Sequence, residues 1–528
     1  MKKLKIFLVL SLMFVLLVFS IINANACTNM NFGKDATVDG SVIVMGAQEG
    51  GATPNIEIVP RQTFKKGEMA PVYYNRWQDT SVPPPAPVIK VGEIPQVENT
   101  YAYFLSGFPF MNEHQVMISD EYLVFAREEL ATLDGIMDSD QLMIFALQRA
   151  KTAREAIMVV GSLVEKYGLS SNYGPEAWSI TDPNEAWWLE MFGGGADWTP
   201  DCGRPGAVWA AQRVPDDEVS FNFNRSRIGE IDLDNKDYFM GSPNVYSLAE
   251  DMGWWDPKSG EPFIWWKAYS TNRDVENREW RAVSLLAPSL NPDINQKRWP
   301  FSIKPDKGKL SVQDIMEIQK DVFEGTEIDQ TKGLLSGPWG SPDRHDNWAT
   351  HAFCHQYTTH HFVAQARSWL PDPIGGLMWF GWDKACTSCE TPLYCGITKL
   401  PDSFHNQRFD LFDRNSAFWA FNFVGNWANL GYSYMIKDIG EARRYLMDDM
   451  FAMQPAIEAA ALELYKKDPS LAIRFLTEYS VNTANKVINY WWELGDKLIA
   501  KYDDGLLLGD RNPDYPEWWI EAVEAATK

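Results

Sequence analysis

The sequence predicts an α+β fold whose C-terminal region is mostly helical, and three observations lead to this class. Short β-prone stretches dominate the first half of the 528-residue chain, and two helical patterns interrupt them. These elements do not follow the regular βαβ order of a doubly wound parallel sheet. From about Ser416 the pattern becomes helical almost throughout. We therefore expect a signal peptide at residues 1–26, an α+β domain at 27–415 and a helical region at 416–528.

The strands are predicted from short runs of β-branched and aromatic residues that lie between turn residues. Asp182-Pro183-Asn184 and Pro215-Asp216-Asp217 are hairpin signals, so each is expected to join two antiparallel strands. The predicted strands span residues 41–48, 56–59, 116–125, 177–181, 185–192, 208–212 and 219–224.

The helices are predicted from apolar periodicity together with their start and stop signals. Thr152 and Glu155 have the spacing of a capping box, and Gly168 is a stop signal for the helix that they begin. Near the C-terminus, Asp468-Pro469-Ser470 separates two long helical patterns. The remaining predicted helices span residues 140–149, 441–467, 471–490 and 491–502.

Composition excludes several classes of protein. Acidic residues outnumber basic ones by 71 to 48, which gives a formal charge of −23, so nucleic acid is not an expected partner. The ordinary apolar content of 45% argues against wholesale disorder. The chain also carries 23 Trp, 20 Tyr and 28 Phe. These aromatics predict a large aromatic core, and stacking platforms for sugars or peptides are the alternative.

The N-terminus has the three parts of a secretory signal peptide. Lys2, Lys3 and Lys5 precede an uncharged, mostly apolar run at residues 6–22, and Ala24-Asn25-Ala26 is a cleavage signature. We expect export to a periplasm or to the cell exterior, with no stable membrane insertion after cleavage. A retained anchor is the alternative, because the apolar run is nearly long enough to span a bilayer.

The predicted cleavage falls directly before Cys27, which leaves three interpretations of this cysteine. It could carry a lipid, although Ala24 stands where lipoprotein processing usually requires Leu. It could be a structural disulfide cysteine. It could also be an N-terminal nucleophile, whose own freed α-amine, with a pKa near about 7.7–8.0, takes the thiol proton.

The other cysteines allow a metal site or disulfides. Cys386, Cys389 and Cys395 resemble part of a zinc site. Disulfides are favoured because thiols of exported proteins oxidise, and two disulfides plus two free thiols fit the six cysteines. The sequence leaves the connectivity of the other five cysteines open: Cys202, Cys354, Cys386, Cys389 and Cys395. Five histidines lie just upstream of the Cys386 group: His345, His351, His355, His360 and His361.

Ordered motifs over about 480 residues of the chain resemble the dipeptidase A and secernin family, known as C69. These are N-terminal-nucleophile hydrolases related to bile-salt hydrolases and penicillin V acylases. No single motif is decisive, and their shared order makes the resemblance specific. The matching segments begin at Cys27-Thr28-Asn29, Asp39-Gly40-Ser41, Met111-Asn112-Glu113-His114, Arg149, Asp182, Gln212, Ser226, Gln365, Tyr490 and Tyr502.

The resemblance implies a four-layer αββα sandwich and amide hydrolysis through a thioester acyl-enzyme. By position it implies Cys27 as the nucleophile and Glu49 as the carboxylate that holds its amine. It also implies Asn224 as the oxyanion-hole amide, with a backbone N–H near Tyr122 as the second donor. Arg281 matches the arginine that supports the thiol in the related acylases; a structural ion pair is its alternative.

One position departs from the family pattern. Many relatives carry Arg three residues before the acidic position, and this chain has Gly46 there. The difference predicts a wider pocket and a changed substrate preference.

We therefore expect an exported cysteine dipeptidase that acts on dipeptides or short peptides and uses no cofactor or metal. One alternative is an acylase for N-acyl or bile-acid-type amides, and another is a non-catalytic, lipid-anchored binding protein. The sequence leaves the oligomeric state open, a homo-oligomer included.

Overall fold

A computed structural model describes residues 27–50, 54–74, 88–108, 110–123, 125–170, 174–271, 276–345, 351–405, 407–503 and 515–527. The predicted signal peptide at residues 1–26 lies outside the described residues. Within them, no helix has both the length and the apolar character needed to cross a bilayer.

Eighteen strands lie in the described residues. In chain order they are β1 (Thr28–Phe32), β2 (Val42–Glu49), β3 (Glu57–Val59), β4 (Gln62–Thr63), β5 (Met69–Tyr74), β6 (Ile89–Pro95), β7 (Asn99–Thr100), β8 (Tyr103–Leu105), β9 (Met117–Tyr122), β10 (Glu176–Thr181), β11 (Ala186–Gly193), β12 (Ala207–Val214), β13 (Val219–Asn222), β14 (Phe239–Gly241), β15 (Ser302–Ile303), β16 (Thr358–Ala366), β17 (Leu377–Trp382) and β18 (Thr391–Tyr394).

The α-helices of the same residues are α1 (Ser139–Arg149), α2 (Ala153–Tyr167), α3 (Ser247–Asp251), α4 (Trp265–Tyr269), α5 (Asn277–Leu286), α6 (Val312–Gln319), α7 (Asp372–Gly375), α8 (Ala417–Ala428), α9 (Tyr432–Lys467), α10 (Pro469–Lys501) and α11 (Glu517–Thr527). The mixture of helix and sheet is consistent with the predicted α+β class. The Thr152 side chain caps α2 as expected, because it accepts a hydrogen bond from the Glu155 N–H at 3.2 Å. The two helices predicted at residues 471–490 and 491–502 form one continuous helix, α10.

Two antiparallel sheets form the centre of the molecule. The larger one has seven strands in the order β15-β13-β1-β2-β16-β17-β18, and the smaller has five in the order β14-β12-β11-β10-β9. Strand β1 therefore lies inside the larger sheet, between β13 and β2. This position fixes the residues at the start of β1 from both sides.

Side-chain alternation along β1 shows that the two sheets face each other. Met30 and Phe32 belong to the apolar core of the larger sheet. Asn29 and Asn31 point the other way, because their amides donate to the carbonyls of Asp120 and Trp187 in the smaller sheet. Cys27 lies two residues before Asn29, so its side chain points the same way, into the space between the two sheets.

Helices cover the outer face of each sheet. α1 and α2 share an apolar core with β10 and β11, through residues such as Val160 and Trp178. α8, α9 and α10 share the core of the larger sheet, where Trp491 is completely buried. The Trp491 indole N–H also donates to the Thr387 carbonyl at 3.2 Å. The C-terminal helices therefore complete the core of the larger sheet.

The expectation of two disulfides is wrong. Cys354 and Cys386 are bonded, and the other four cysteines are free. The free thiols lie in separate environments: Cys202 is exposed, whereas Cys389 and Cys395 are buried. The Cys395 thiol donates to the Asp372 carbonyl at 2.9 Å and the Cys389 thiol contacts the Glu390 carbonyl, so neither is aimed at a second cysteine.

Candidate active site

Cys27 immediately precedes β1, and its side chain is buried at 2% exposure. The thiol donates to Gln48 Oε1 at 3.3 Å, on the neighbouring strand β2. Burial raises the pKa of Cys27 well above its usual value, and the nearby carboxylates of Glu121, Asp120 and Glu49 raise it further. The thiol is therefore protonated in the resting site, so it needs a base before it can act as a nucleophile.

Arg278 joins the N-terminal residue to the rest of the site. It is fully buried in the first turn of α5. One Nη donates to the Cys27 carbonyl at 2.9 Å, and the other donates to Asn224 Oδ1 at 3.1 Å. Its Nε donates to Glu276 Oε1 at 3.0 Å. Burial disfavours its charge, but Glu276, Glu49 and Glu121 outweigh burial and raise the pKa of Arg278. The guanidinium is thus a fixed cation behind the cysteine.

Asn224 follows β13 in a left-handed conformation with φ of 63°, which Asn tolerates better than most residues. Its side chain is held at both ends. Oδ1 accepts from Arg278, and Nδ2 donates to the Tyr122 carbonyl at 3.1 Å. The backbone N–H of Asn224 donates to Glu121 Oε2 at 3.2 Å. Nδ2 carries a second hydrogen, which the Tyr122 contact does not use.

Tyr122 ends β9 and lines a cavity of about 180 Å³. The cavity is bounded mainly by Leu123, Leu130 and Thr132 on one side and by Ser170 and Gly174 on the other. The Leu123 N–H donates to the Pro175 carbonyl at 2.9 Å, so this backbone donor already has a partner. Tyr122 therefore connects the Asn224 amide with a small cavity.

Glu49 ends β2 and contacts two histidines. Glu49 Oε1 is hydrogen-bonded to His351 Nε2 at 3.0 Å, and His355 Nδ1 lies 3.7 Å from Oε2. Burial raises the pKa of Glu49 well above its ordinary value, although Arg278 opposes this shift. Burial, Arg278 and His355 lower the pKa of His351 well below its ordinary value. The raised pKa of Glu49 and the lowered pKa of His351 both favour an uncharged Glu49–His351 pair in the resting site.

Arg281 lies one helical turn beyond Arg278 and has different partners. Its guanidinium binds Asp321, with Nε 2.9 Å from Oδ1, and it donates to the Glu324 carbonyl at 2.9 Å. The structure brings Cys27, Glu49, Asn224 and Tyr122 together and places Arg281 in a structural ion pair. Arg278 is the arginine in contact with Cys27. No local sequence pattern marks Arg278: its helix begins after Glu276, which accepts from the Arg278 N–H at 3.1 Å but is not a usual N-cap residue.

The expectation of a wider pocket at Gly46 is wrong. A Cβ at this position would lie 2.5 Å from Phe362 Cζ and 2.8 Å from both Asn29 Oδ1 and Ser119 Oγ. Neighbouring side chains already fill the space that a longer residue would need. A residue longer than glycine would have to displace these side chains of β1, β9 and β16.

Gly46→Ala is expected to destabilise the protein by about 1–3 kcal/mol, because the new methyl group overpacks a buried site. Urea unfolding measures the change, with Gly229→Ala as the control. A Cβ at Gly229 would meet no atom within 4 Å, so this control should leave the midpoint nearly unchanged. Equal midpoints for the two variants would contradict the close packing at Gly46.

The structure rules out Cys386 as a zinc ligand, since its sulfur is bonded to Cys354. Two of the upstream histidines have a different partner, because His351 and His355 face Glu49. No local pattern predicts that these three residues meet, because about 300 residues separate Glu49 from both histidines.

Comparison with known proteins agrees with the resemblance seen in the motifs. The model of the family described as Peptidase family C69 matches residues 26–444. A probable dipeptidase of Latilactobacillus sakei is 22% identical over 410 residues, covering 75% of this chain and 80% of that protein. Probable dipeptidase B of Lactococcus lactis is 24% identical over 408 residues, with 75% and 79% covered. Dipeptidase A of Lactobacillus helveticus is 22% identical over 413 residues, with 74% and 80% covered.

Proposed function

The chain belongs to peptidase family C69, and from this premise we propose that it is an exported cysteine dipeptidase with an N-terminal nucleophile. The names of the similar dipeptidases support the substrate class. The observation that carries the proposal is the position of Cys27. It stands directly before a central strand, with its carbonyl and the Asn224 amide held by one buried arginine.

Export and activation are one event in this proposal. Until the chain is cut before Cys27, the nitrogen of this residue is an amide and cannot act as a base. Cleavage after Ala26 converts it into an α-amine with a pKa of about 7.7–8.0. That amine can take the proton of the adjacent thiol at neutral pH.

The reaction then proceeds in two steps. The thiolate adds to the peptide carbonyl, and the unused Nδ2 hydrogen of Asn224 stabilises the resulting oxyanion. The Cys27 ammonium returns its proton to the leaving amine as the C–N bond breaks, which leaves a thioester on sulfur. The amine next takes a proton from water, and the hydroxide formed hydrolyses the thioester. One oxyanion donor of this kind contributes about 3–4 kcal/mol.

The surroundings of the thiol support an N-terminal amine as the base. Burial and the nearby carboxyl groups of Glu121, Asp120 and Glu49 raise the pKa of the Cys27 thiol, so a base has to take its proton. By its position in the family pattern, we assign Glu49 to hold the Cys27 ammonium.

The test compares two chains that differ by one residue at the N-terminus. One begins at Cys27 and the other at Ala26, both released from a cleavable fusion. We expect dipeptide hydrolysis by the Cys27 chain and roughly 10²–10⁴-fold slower hydrolysis by the Ala26 chain, because its amine is displaced from the thiol. Equal rates would overturn the assignment of the amine as the base.

The alternative substrate class is an N-acyl amide, and the same Cys27 chain distinguishes the two. Matched substrates with one scissile bond, a dipeptide and its N-acetylated form, are compared by kcat/KM. We expect the free dipeptide to be preferred, since the similar proteins are named dipeptidases. A preference for the acetylated form would favour the acylase. Lipid found on Cys27 by intact mass would instead favour the anchored binding protein.

A further inference from the structure

Glu49, His351 and His355 form a compact group of potential metal ligands. One ligand atom from each lies within 4.8 Å of the other two. All three residues are buried, with 3%, 4% and 6% of their surface exposed. The two imidazole rings stack in parallel with centroids 3.9 Å apart, so they must splay for both nitrogens to reach one ion.

The second oxygen of Glu49 makes the group more than a hydrogen-bonded cluster. Oε2 lies 2.8 Å from His351 Nε2 and 3.7 Å from His355 Nδ1. One buried oxygen of Glu49 therefore faces a nitrogen of each imidazole, which is the arrangement in which a single cation could replace the direct contacts.

The ligand spacing suits a small divalent cation. Zinc binds nitrogen and oxygen at about 2.0–2.2 Å, so neighbouring ligand atoms in a tetrahedral site lie about 3.4 Å apart. The distances of 2.8 Å and 3.7 Å from Glu49 Oε2 bracket that spacing. Two histidines and one carboxylate are a ligand set used by zinc and by related transition metals.

The segment that carries the histidines is held in place. Cys354, next to His355, is bonded to Cys386, and the Cys354 N–H donates to the Asp321 carbonyl at 3.1 Å. Strand β2 fixes Glu49 from the other side through its pairing with β16. Glu49 therefore lies on a strand, and the loop that carries both histidines is anchored at Cys354.

We propose that Glu49, His351 and His355 bind one divalent cation of the zinc class. The site does not depend on the proposed peptidase mechanism. If Glu49 also holds the Cys27 ammonium, the metal and the ammonium compete for one carboxylate. The loaded protein is then a stored, inactive form.

The experiment titrates the full chain with Co²⁺, followed by visible absorption and by equilibrium dialysis. Wild type should bind one Co²⁺ with ligand-field bands of a nitrogen and oxygen site. His351→Gln and His355→Gln should each weaken binding by at least about 100-fold, since even the loss of an outer partner costs roughly 10–100-fold. His114→Gln is the matched control, because His114 binds Asp372 elsewhere and should leave binding unchanged.

Two further measurements keep the test decisive. Cys27→Ala, which removes the proposed nucleophile, should bind Co²⁺ as wild type does. The metal-binding result can therefore be interpreted even if the peptidase proposal fails. X-ray absorption of the Zn²⁺-loaded wild type should show imidazole scattering without sulfur, whether or not the histidine variants fold. Absence of a stoichiometric ion in wild type, binding unaffected by the histidine changes, or a sulfur shell would each overturn the site.

Discussion

Cys27→Ala is expected to abolish dipeptide hydrolysis by the mature chain while leaving it folded. The substitution removes the only thiol placed beside both Asn224 and the N-terminal nitrogen in the proposed mechanism. When a nucleophile and its base depend on each other, loss of the nucleophile lowers kcat by a factor on the order of 10⁴–10⁶. Turnover of a dipeptide measures the effect, and a cooperative thermal transition confirms that the variant is folded.

Cys202→Ala is the matched control, because Cys202 is also a free thiol but is exposed. It should retain wild-type turnover. Incubation with substrate should add an acyl mass to the N-terminal peptide of wild type and not to that of the Cys27 variant. Residual hydrolysis above about 1% of wild type in a pure Cys27→Ala sample would exclude this residue as the nucleophile.

Arg278→Met is expected to produce the largest loss of stability. The change leaves the carboxyl group of Glu276 without its buried cation and removes the donors to the Cys27 carbonyl and to Asn224. Breaking one partner out of a buried ion pair typically costs about 3–5 kcal/mol. Urea unfolding measures this loss. In any folded fraction, kcat should fall more than KM rises, because the Asn224 amide is no longer held.

Arg281→Met provides the comparison within the same helix. Arg281 binds Asp321, so its replacement should cost stability while leaving Cys27 and Asn224 in place. Its kcat should stay within about threefold of wild type, since no positioned donor is lost at the nucleophile. A larger fall in kcat for Arg281→Met than for Arg278→Met would restore the assignment made from the sequence.

The elements that the sequence predicted well have strong local signals. Strand β2, the Thr152 cap and the helix break at Asp468-Pro469 were all expected within a few residues of where they lie. β16 was not predicted, because its first four residues, Thr-Thr-His-His, are polar although all nine of its residues are buried.

Cys27 is predicted as the nucleophile from the cleavage signature before it, and this role stays a prediction. The groups around Cys27 were harder to predict. Arg278 and Arg281 are three residues apart on one helix, and only the fold shows which of them meets β1. The contact of Glu49 with His351 joins residues about 300 positions apart, and no local pattern encodes such a pairing.

The central place of β1 and β2 has a consequence for the speed of folding. β1 pairs with β13, and β2 pairs with β16, so the middle of the larger sheet joins the first residues of the mature chain to Ala366. Such pairings must close very long loops before they gain any contact energy, and chains of this kind fold slowly. The middle of the larger sheet can therefore be completed only after β16 has been synthesised. If the chain is exported as proposed, we expect it to cross the membrane unfolded, with the sheet around Cys27 forming afterwards.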